Sequence, residues 1–108
     1  MIQSELLALH EGLCEKARQI MRNKNHDYAG DADPFANFRL TEHLGLAHSE
    51  VGLLVRMCDK LSRLATYARC GRLDVVGESV EDTCLDMINY VVLLVGLIND
   101  SNDRGVNA

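Results

Sequence analysis

Charged and polar residues recur at helical spacing in the middle of the chain, at Arg56, Asp59, Lys60, Arg63 and Tyr67. Because a helix brings such positions to one side, these side chains are predicted to share a face, opposite an apolar stripe. Arginine forks and lysine point charges are the groups that bind phosphate oxygens. The face is therefore predicted to be either a cationic clamp for a phosphate-bearing ligand or a solvated surface with the i,i+4 pair Asp59–Arg63.

A second polar face opens the last predicted helix, at Asp82, Asp86, Asn89 and Tyr90. Two carboxylates one helical turn apart can each offer oxygen to Mg²⁺, which often bridges protein carboxylates to a phosphate. The same carboxylates can instead pair with the cations of the preceding helix. Asp82 also suits a capping role, three positions after Ser79. The spacing leaves these interpretations open.

The connection between the first two predicted helices, about Lys24 to Thr41, holds polar and aromatic residues together. Its candidate binding residues are Lys24, Asn25, Asp27, Tyr28, Phe35, Asn37, Phe38 and Arg39. Aromatic rings can stack on a nucleobase, and Asn or Asp side chains can read its edge. The alternative is that the aromatic rings only pack the loop against the helical bundle and bind no ligand. A loop this long in a small domain favours a functional role.

Three antiparallel helices are predicted to position these residues in one all-α domain over residues 1–99. The predicted helices run from about Ser4 to Asn23, Ser49 to Cys70, and Ser79 to Asn99. Gly71 suits the C-terminal cap of the second helix. Residues 100–108 are predicted to form a flexible polar tail.

Apolar stripes along these helices predict both the core and an assembly. The stripe of the second helix is predicted to face the core, and its members are Val51, Leu54, Val55, Cys58, Leu61, Leu64, Ala65 and Ala68. Beyond Tyr90 the last helix is apolar all round. Such a helix must be covered on every side, which two other helices cannot do. The sequence therefore predicts a helical-bundle homo-oligomer that assembles through the last helix.

Composition narrows the class of protein. The 108 residues are 47% hydrophobic and carry a net charge of −5, which suits one packed domain without the basic excess of a generic nucleic-acid binder. The four cysteines form no C-x-x-C pair, so we expect reduced core cysteines and no zinc, haem or flavin. The longest apolar run, Tyr90 to Ile98, is too short to cross a bilayer, and we expect a cytoplasmic protein without a membrane partner.

Four motifs follow one another over about residues 20 to 95. They are Lys24-Asn25-x-Asp27-Tyr28, Pro34-Phe35-x-Asn37-Phe38, Gly52-Leu-Leu-Val-Arg56-Met-x-Asp59-Lys60-x-x-Arg63 and Glu78-Ser-Val-x-Asp82-Thr-x-x-Asp86-x-x-Asn89-Tyr90. In this order they resemble the phage-associated family described as nucleotide modification associated domain 1. More remotely, the second and third helices resemble all-α nucleotide pyrophosphatases of the MazG and dimeric dUTPase type, in which paired acids hold Mg²⁺ over a nucleoside triphosphate. Here Leu53 and Thr83 stand where two of those acids belong.

The resemblance implies a nucleotide site where the two polar helix faces meet the connection. The cations that would hold phosphates are Lys24, Arg56, Lys60 and Arg63. The rings that would stack on the base are Tyr28, Phe35 and Phe38. The groups that would read the base edge or the sugar are Asn25, Asp27 and Asn37. The carboxylates that would bind Mg²⁺ or orient the cations are Asp59, Asp82 and Asp86.

The sequence thus predicts a phage-type protein that binds or sequesters a nucleotide, such as an immune signalling nucleotide of the host. One alternative is a Mg²⁺-dependent nucleoside triphosphate pyrophosphohydrolase, for which only part of the carboxylate set is present. The other alternative is a structural helical oligomer without a ligand.

Overall fold

The computed structural model describes the backbone of residues 1–28, 33–73 and 77–103, and the side chains of 1–24, 33–73 and 77–101. The described residues form four helices and no strand: α1 (Gln3–Tyr28), α2 (Ala36–His43), α3 (Ser49–Cys70) and α4 (Val80–Asp103). The all-α prediction is confirmed. None of the described helices is long and apolar enough to span a membrane.

The prediction of a long loop from about Lys24 to Thr41 is wrong, because parts of two helices occupy most of this segment. α1 continues to Tyr28, supported near its end by the i,i+4 hydrogen bond from the Gln19 amide to Asn23, 3.1 Å long. α2 begins where Asp33 Oδ1 accepts the Phe35 N–H at 2.9 Å, just after Pro34. An Asp-Pro pair that forms a turn just before a helix is a local start signal, which an interpretation based on loop composition overlooks.

Both ends of α3 and the start of α4 are confirmed. α3 ends at Gly71, whose positive φ of 77° and N–H donated to the Tyr67 carbonyl form the predicted cap. At the start of α4, the Ser79 hydroxyl accepts the Asp82 N–H and the Asp82 carboxylate accepts the Ser79 N–H, each at 3.0 Å. This reciprocal pair is a capping box. α4 then runs on to Asp103, so residues 100–103 are helical where a tail was predicted; residues 104–108 lie outside the described part.

The core lies where α2, α3 and α4 meet. Phe38, Leu53 and Leu97 are buried in one cluster, and five partly buried residues pack against it: Phe35, Met57, Tyr90, Leu93 and Leu94. α1 joins through Ala17, which is almost fully buried and whose carbonyl accepts a hydrogen bond from Asn89 Nδ2 at 3.0 Å. This contact fixes α1 against the middle of α4, while Phe38 of α2 packs near Leu97 in the C-terminal half of α4.

The predicted orientation of α3 is wrong. The stripe predicted to face the core is exposed at Val51, Leu54, Val55 and Leu61, and at Cys58, which was expected in the core. Lys60 and Arg63 of the charged face pack inward instead, because they pair with carboxylates of the α4 segment, whereas Arg56 and Asp59 of that face are exposed. Apolar residues of α4 are likewise exposed, at Val91, Val92, Val95 and Ile98. The single chain therefore leaves much of its apolar surface uncovered.

Candidate ligand-binding cavity

A cavity of about 520 Å³ opens between the end of α1, the start of α2, the middle of α3 and the first half of α4. Its lining residues are Met21, Lys24, Asp33, Pro34, Ala36, Asn37, Phe38, Arg56, Asp86, Asn89, Tyr90 and Leu93. This volume lies within the range of pockets that take small-molecule ligands. Seven of the predicted ligand residues line it, which are Lys24, Asn37, Phe38, Arg56, Asp86, Asn89 and Tyr90.

The cavity presents two cations, Lys24 and Arg56. Among the residues whose side chains the structure describes, no carboxylate lies within ion-pair distance of either one. The Arg56 guanidinium lies 5.3 Å from the centre of the Phe38 ring. Stacking of this kind orients the planar guanidinium while leaving its N–H groups free to donate. Both cations are therefore available to an anionic ligand.

Polar amides and a phenol complete the wall. Asn37 is exposed at the start of α2. Asn89 donates a hydrogen bond from Nδ2 to the Ala17 carbonyl, and this bond leaves its amide oxygen available to accept another. Tyr90 and Leu93 line the cavity and also pack on the core cluster. The wall thus combines an apolar floor with a few polar groups, as ligand pockets usually do.

An ion-pair network lies beside the cavity between α3 and the start of α4. The Lys60 ammonium is 2.9 Å from Asp86 and 3.5 Å from Glu78, and only 14% of its side chain is exposed. Arg63 pairs with Glu78 and, at 3.2 Å, with Asp59. Desolvation works to lower the pKa of Lys60, but the hydrogen bond to Asp86 and the two carboxylate charges outweigh it and raise the pKa. Lys60 is therefore a charged part of the helix interface and does not line the cavity.

Arg39 and Phe35, both predicted to contact the ligand, do not line the cavity. The Arg39 guanidinium pairs with Asp33 at 2.6 Å and with Asp100, and it lies 5.6 Å from the centre of the Phe35 ring. Desolvation opposes the charge of Arg39, but hydrogen bonds to Asp100 and Asp33 raise its pKa. Phe35 packs on the core cluster and meets Gly96, where an added Cβ would come within 3.0 Å of the ring. These two residues tie α2 to the C-terminal half of α4.

The three carboxylates predicted to hold Mg²⁺ have other partners. Asp82 is occupied by the capping box, and its hydrogen bond from the Ser79 N–H lowers its pKa. Asp59 pairs with Arg63, and Asp86 pairs with Lys60. Among the described side chains, the one group of three metal-ligand types that converges is Glu42, His48 and Glu50, at the junction of α2 and α3. Asp59 and Asp86 thus orient cations, which is the alternative role predicted for them, and Mg²⁺ binding stays a prediction.

Several residues of the site escaped sequence reasoning, and some predicted ones lie outside the described side chains. The missed cavity residues are Met21, Asp33, Pro34, Ala36 and Leu93. Glu78 was missed as the partner of Lys60 and Arg63, although it opens the last of the four motifs. The side chains of Asn25, Asp27 and Tyr28 are outside the described part, while their backbone continues α1 toward the cavity wall.

Comparison of the chain with family models, with curated proteins and with solved structures finds no match. The cavity and its two cations, which pair with no carboxylate among the described side chains, are therefore the observations that bear on a ligand.

Proposed function

We propose that this protein binds a nucleotide or a nucleotide-derived signal in the cavity between its four helices. The observation that carries the proposal is the pair of cations at the cavity, Lys24 and Arg56, without carboxylate partners among the described side chains. The other cations of the predicted clamp, Lys60 and Arg63, are neutralised within the helix interface. A cavity lined by two cations that pair with no carboxylate among the described side chains favours an anionic ligand, even in a chain of net charge −5.

The proposed ligand groups follow the chemistry of the wall. Phosphate oxygens bind Lys24 and the guanidinium fork of Arg56. The amides of Asn37 and Asn89 hydrogen-bond to the base edge or the sugar, and the Tyr90 ring contacts the base. The resemblance adds Asn25, Asp27 and Tyr28 at the end of α1 to this proposed set.

Binding without hydrolysis is favoured by the position of Lys60. Its ammonium lies 2.9 Å from Asp86 and 3.5 Å from Glu78, so it pairs with both carboxylates. The protein's own cation therefore satisfies these carboxylates, and their charge is not available to a metal ion. The pyrophosphohydrolase alternative requires that Mg²⁺ displace a largely buried ammonium group.

A thermal-shift panel tests the proposal, because a ligand that binds the folded state raises the melting temperature. The panel contains nucleosides and their mono-, di-, tri- and cyclic phosphates, measured on the parent and on Arg56→Gln. We expect a rise with at least one phosphorylated member, no rise with its nucleoside, and a smaller rise for Arg56→Gln. The matched control is Arg18→Gln, which removes an exposed arginine of α1 that pairs with Glu15. If no compound raises the melting temperature, the structural oligomer without a ligand would be the remaining interpretation.

Recovery of the ligand separates binding from hydrolysis. The complex is incubated with Mg²⁺ and denatured, and the released nucleotide is analysed by mass spectrometry. Intact nucleotide is expected if the protein sequesters its ligand. Pyrophosphate together with the monophosphate, abolished by Asp86→Asn, would establish the enzyme instead.

The proposal extends to assembly and setting. We propose a homo-oligomeric helical bundle in which α3 and α4 pack antiparallel, as the contacts Glu50–Ser101 and Lys60–Asp86 support. Exposed Val92 and Val95 support self-association through α4. The proposed setting is the cytoplasm of a phage-infected cell, with no generic nucleic-acid binding. Light scattering of the parent and of Val95→Asp tests the assembly, and an unchanged mass would exclude this surface.

A further inference from the structure

The outer face of α3 carries an apolar repeat with alternating spacings of three and four residues. Its members, here named the α3 seam, are Val51, Leu54, Cys58, Leu61, Ala65 and Ala68. All six are exposed in the single chain, and the adjacent Val55 is exposed as well. A strict repeat of this kind over successive heptads is the narrow stripe of a helix paired with another helix in a coiled coil. Helices that pack on a globular core usually carry a wider stripe.

The described part of the chain does not cover the seam. The opposite face of α3 holds the fully buried Leu53 and the ion-paired Lys60 and Arg63, all directed toward α4. Rotating α3 to bury the seam would expose Leu53 and break those ion pairs. The described residues therefore leave the seam open to a second chain.

We infer that the α3 seam pairs antiparallel with the α3 seam of a second copy. In this register Val51 lies opposite Ala68, Leu54 opposite Ala65, and Cys58 opposite Leu61. Each layer then combines a larger side chain with a smaller one, so that the volume of the seam stays even along its length. A parallel pair would set leucine against leucine near one end and alanine against alanine at the other.

The charges at the two ends of α3 favour the same orientation. The first turn carries Glu50 and the last turn carries Arg69. An antiparallel pair brings the acidic end of one copy beside the basic end of the other, and it also opposes the two helix dipoles. A parallel pair would bring like charges together at both ends. The helix thus complements its own reversed copy in both volume and charge.

The size of the seam sets the expected strength of pairing. One pair of 22-residue helices buries less than the roughly 1,600 Å² of a standard interface. The pair is therefore expected to form at micromolar concentrations and to dissociate on dilution. The seam lies on the face of α3 opposite the cavity, so its pairing does not depend on the proposed nucleotide site, and its test needs no nucleotide.

Sedimentation equilibrium on matched leucine variants tests the pairing. Leu61→Glu places a charge in the seam, whereas Leu40→Glu places the same charge at a similarly exposed leucine of α2; the two residues are 58% and 53% exposed. We expect Leu61→Glu to halve the assembled mass and Leu40→Glu to keep the parent mass, with equal helicity by circular dichroism. A monomeric parent at high micromolar concentration, or equal masses for the two variants, would overturn the inference.

Oxidative cross-linking tests the orientation. In a background where Cys14, Cys70 and Cys84 are serine, Cys58 is the remaining thiol. In the antiparallel register Cys58 faces Leu61 of the second copy, so Leu61→Cys is expected to give a covalent dimer rapidly on mild oxidation while the background does so slowly. Equally rapid cross-linking of the background would establish the parallel pair and contradict the proposed register.

Discussion

The two faces of α3 are the reverse of what an amphipathic helix usually shows. The inner face carries Lys60 and Arg63 in ion pairs with the α4 segment, together with the fully buried Leu53. The outer face is apolar and exposed, with Val55 and Leu61 among its residues. Burial of the charged face is stabilised by partnered carboxylates, and exposure of the apolar face is unfavourable for an isolated chain.

This difference shows that the two faces of one helix can serve two separate roles. The inner face contributes to both the cavity wall and the charged interface, because Arg56 lines the cavity and Lys60 pairs with Asp86. The face directed outward remains available for assembly. A ligand site and an assembly surface on opposite sides of one helix can be altered independently by mutation, which the following predictions use.

The largest effect is expected from two neighbouring leucines on opposite faces. Leu53 is fully buried, whereas Leu54 is 45% exposed. Leu53→Ala removes core packing and should lower the free energy of unfolding by about 2–5 kcal/mol. Leu54→Ala should lower it by less than about 1 kcal/mol at concentrations where the chain is monomeric. Urea denaturation measures both, and equal losses would show that α3 is rotated from the orientation described.

The charged inner face is tested by Lys60→Met. This change leaves Glu78 and Asp86 without their shared cation in a largely buried interface. We expect a loss of about 1–3 kcal/mol in unfolding free energy, smaller than for a fully buried pair because some solvent reaches the groups. The matched control is Lys16→Met, which breaks the exposed pair with Glu81 and should cost less than about 0.5 kcal/mol. An unchanged free energy of unfolding in Lys60→Met would show that Lys60 does not stabilise the interface.

The cavity wall of α3 is tested by the affinity of Arg56→Gln for the nucleotide that gives the largest thermal shift. Loss of a charge-assisted contact of about 1.5–3 kcal/mol should weaken binding about tenfold to a hundredfold. The seam variant Leu61→Glu should bind as the parent does. Isothermal titration measures both affinities. A parallel loss of affinity in Leu61→Glu would show that the two faces of α3 are coupled.

The smallest effect concerns the cap at the start of α4. The pKa of Asp82 is lowered by its hydrogen bond from the Ser79 N–H, so the ionised cap stabilises the fold above the carboxyl's unfolded pKa and loses this effect as pH falls through the lowered value. The Tm difference between the parent and Asp82→Ala should thus be full near neutral pH and shrink below about pH 4. Ser79→Ala removes an uncharged hydrogen-bond acceptor, so its Tm difference from the parent should depend less on pH. A constant difference for Asp82→Ala would argue against the capping box.

Local signals in the sequence predicted the limits of α3 and the capping box of α4. Gly71 and the Ser79–Asp82 pair act through their nearest neighbours, and the structure confirms both. The helix starting after Asp33 and Pro34 had an equally local signal, which the surrounding polar and aromatic composition obscured. α1 was predicted to end too early because its last turns lack an apolar stripe, although no glycine or proline interrupts them before Gly30.

The orientation of α3 could not be predicted from its own residues. Periodicity identified the two faces correctly, but the choice of inner face depends on Glu78 and Asp86 in a distant segment. Lys60 and Arg39 were likewise predicted to contact ligand. Lys60 instead pairs with Asp86, and Arg39 pairs with Asp100 far along the chain and with the nearby Asp33. Lys24 and Arg56 line the cavity, and their contact with a ligand stays a prediction. Spacing within one helix cannot distinguish a cation with a distant partner from one without.

A crystal structure of the protein soaked with the nucleotide of largest thermal shift tests the nucleotide cavity most directly. We predict phosphate oxygens within hydrogen-bonding distance of Lys24 and Arg56, the base beside Tyr90, and Lys60 still between Glu78 and Asp86. A nucleotide on another surface with the cavity empty would contradict the proposed site. A Mg²⁺ ion between the carboxylates with Lys60 displaced would contradict binding without hydrolysis.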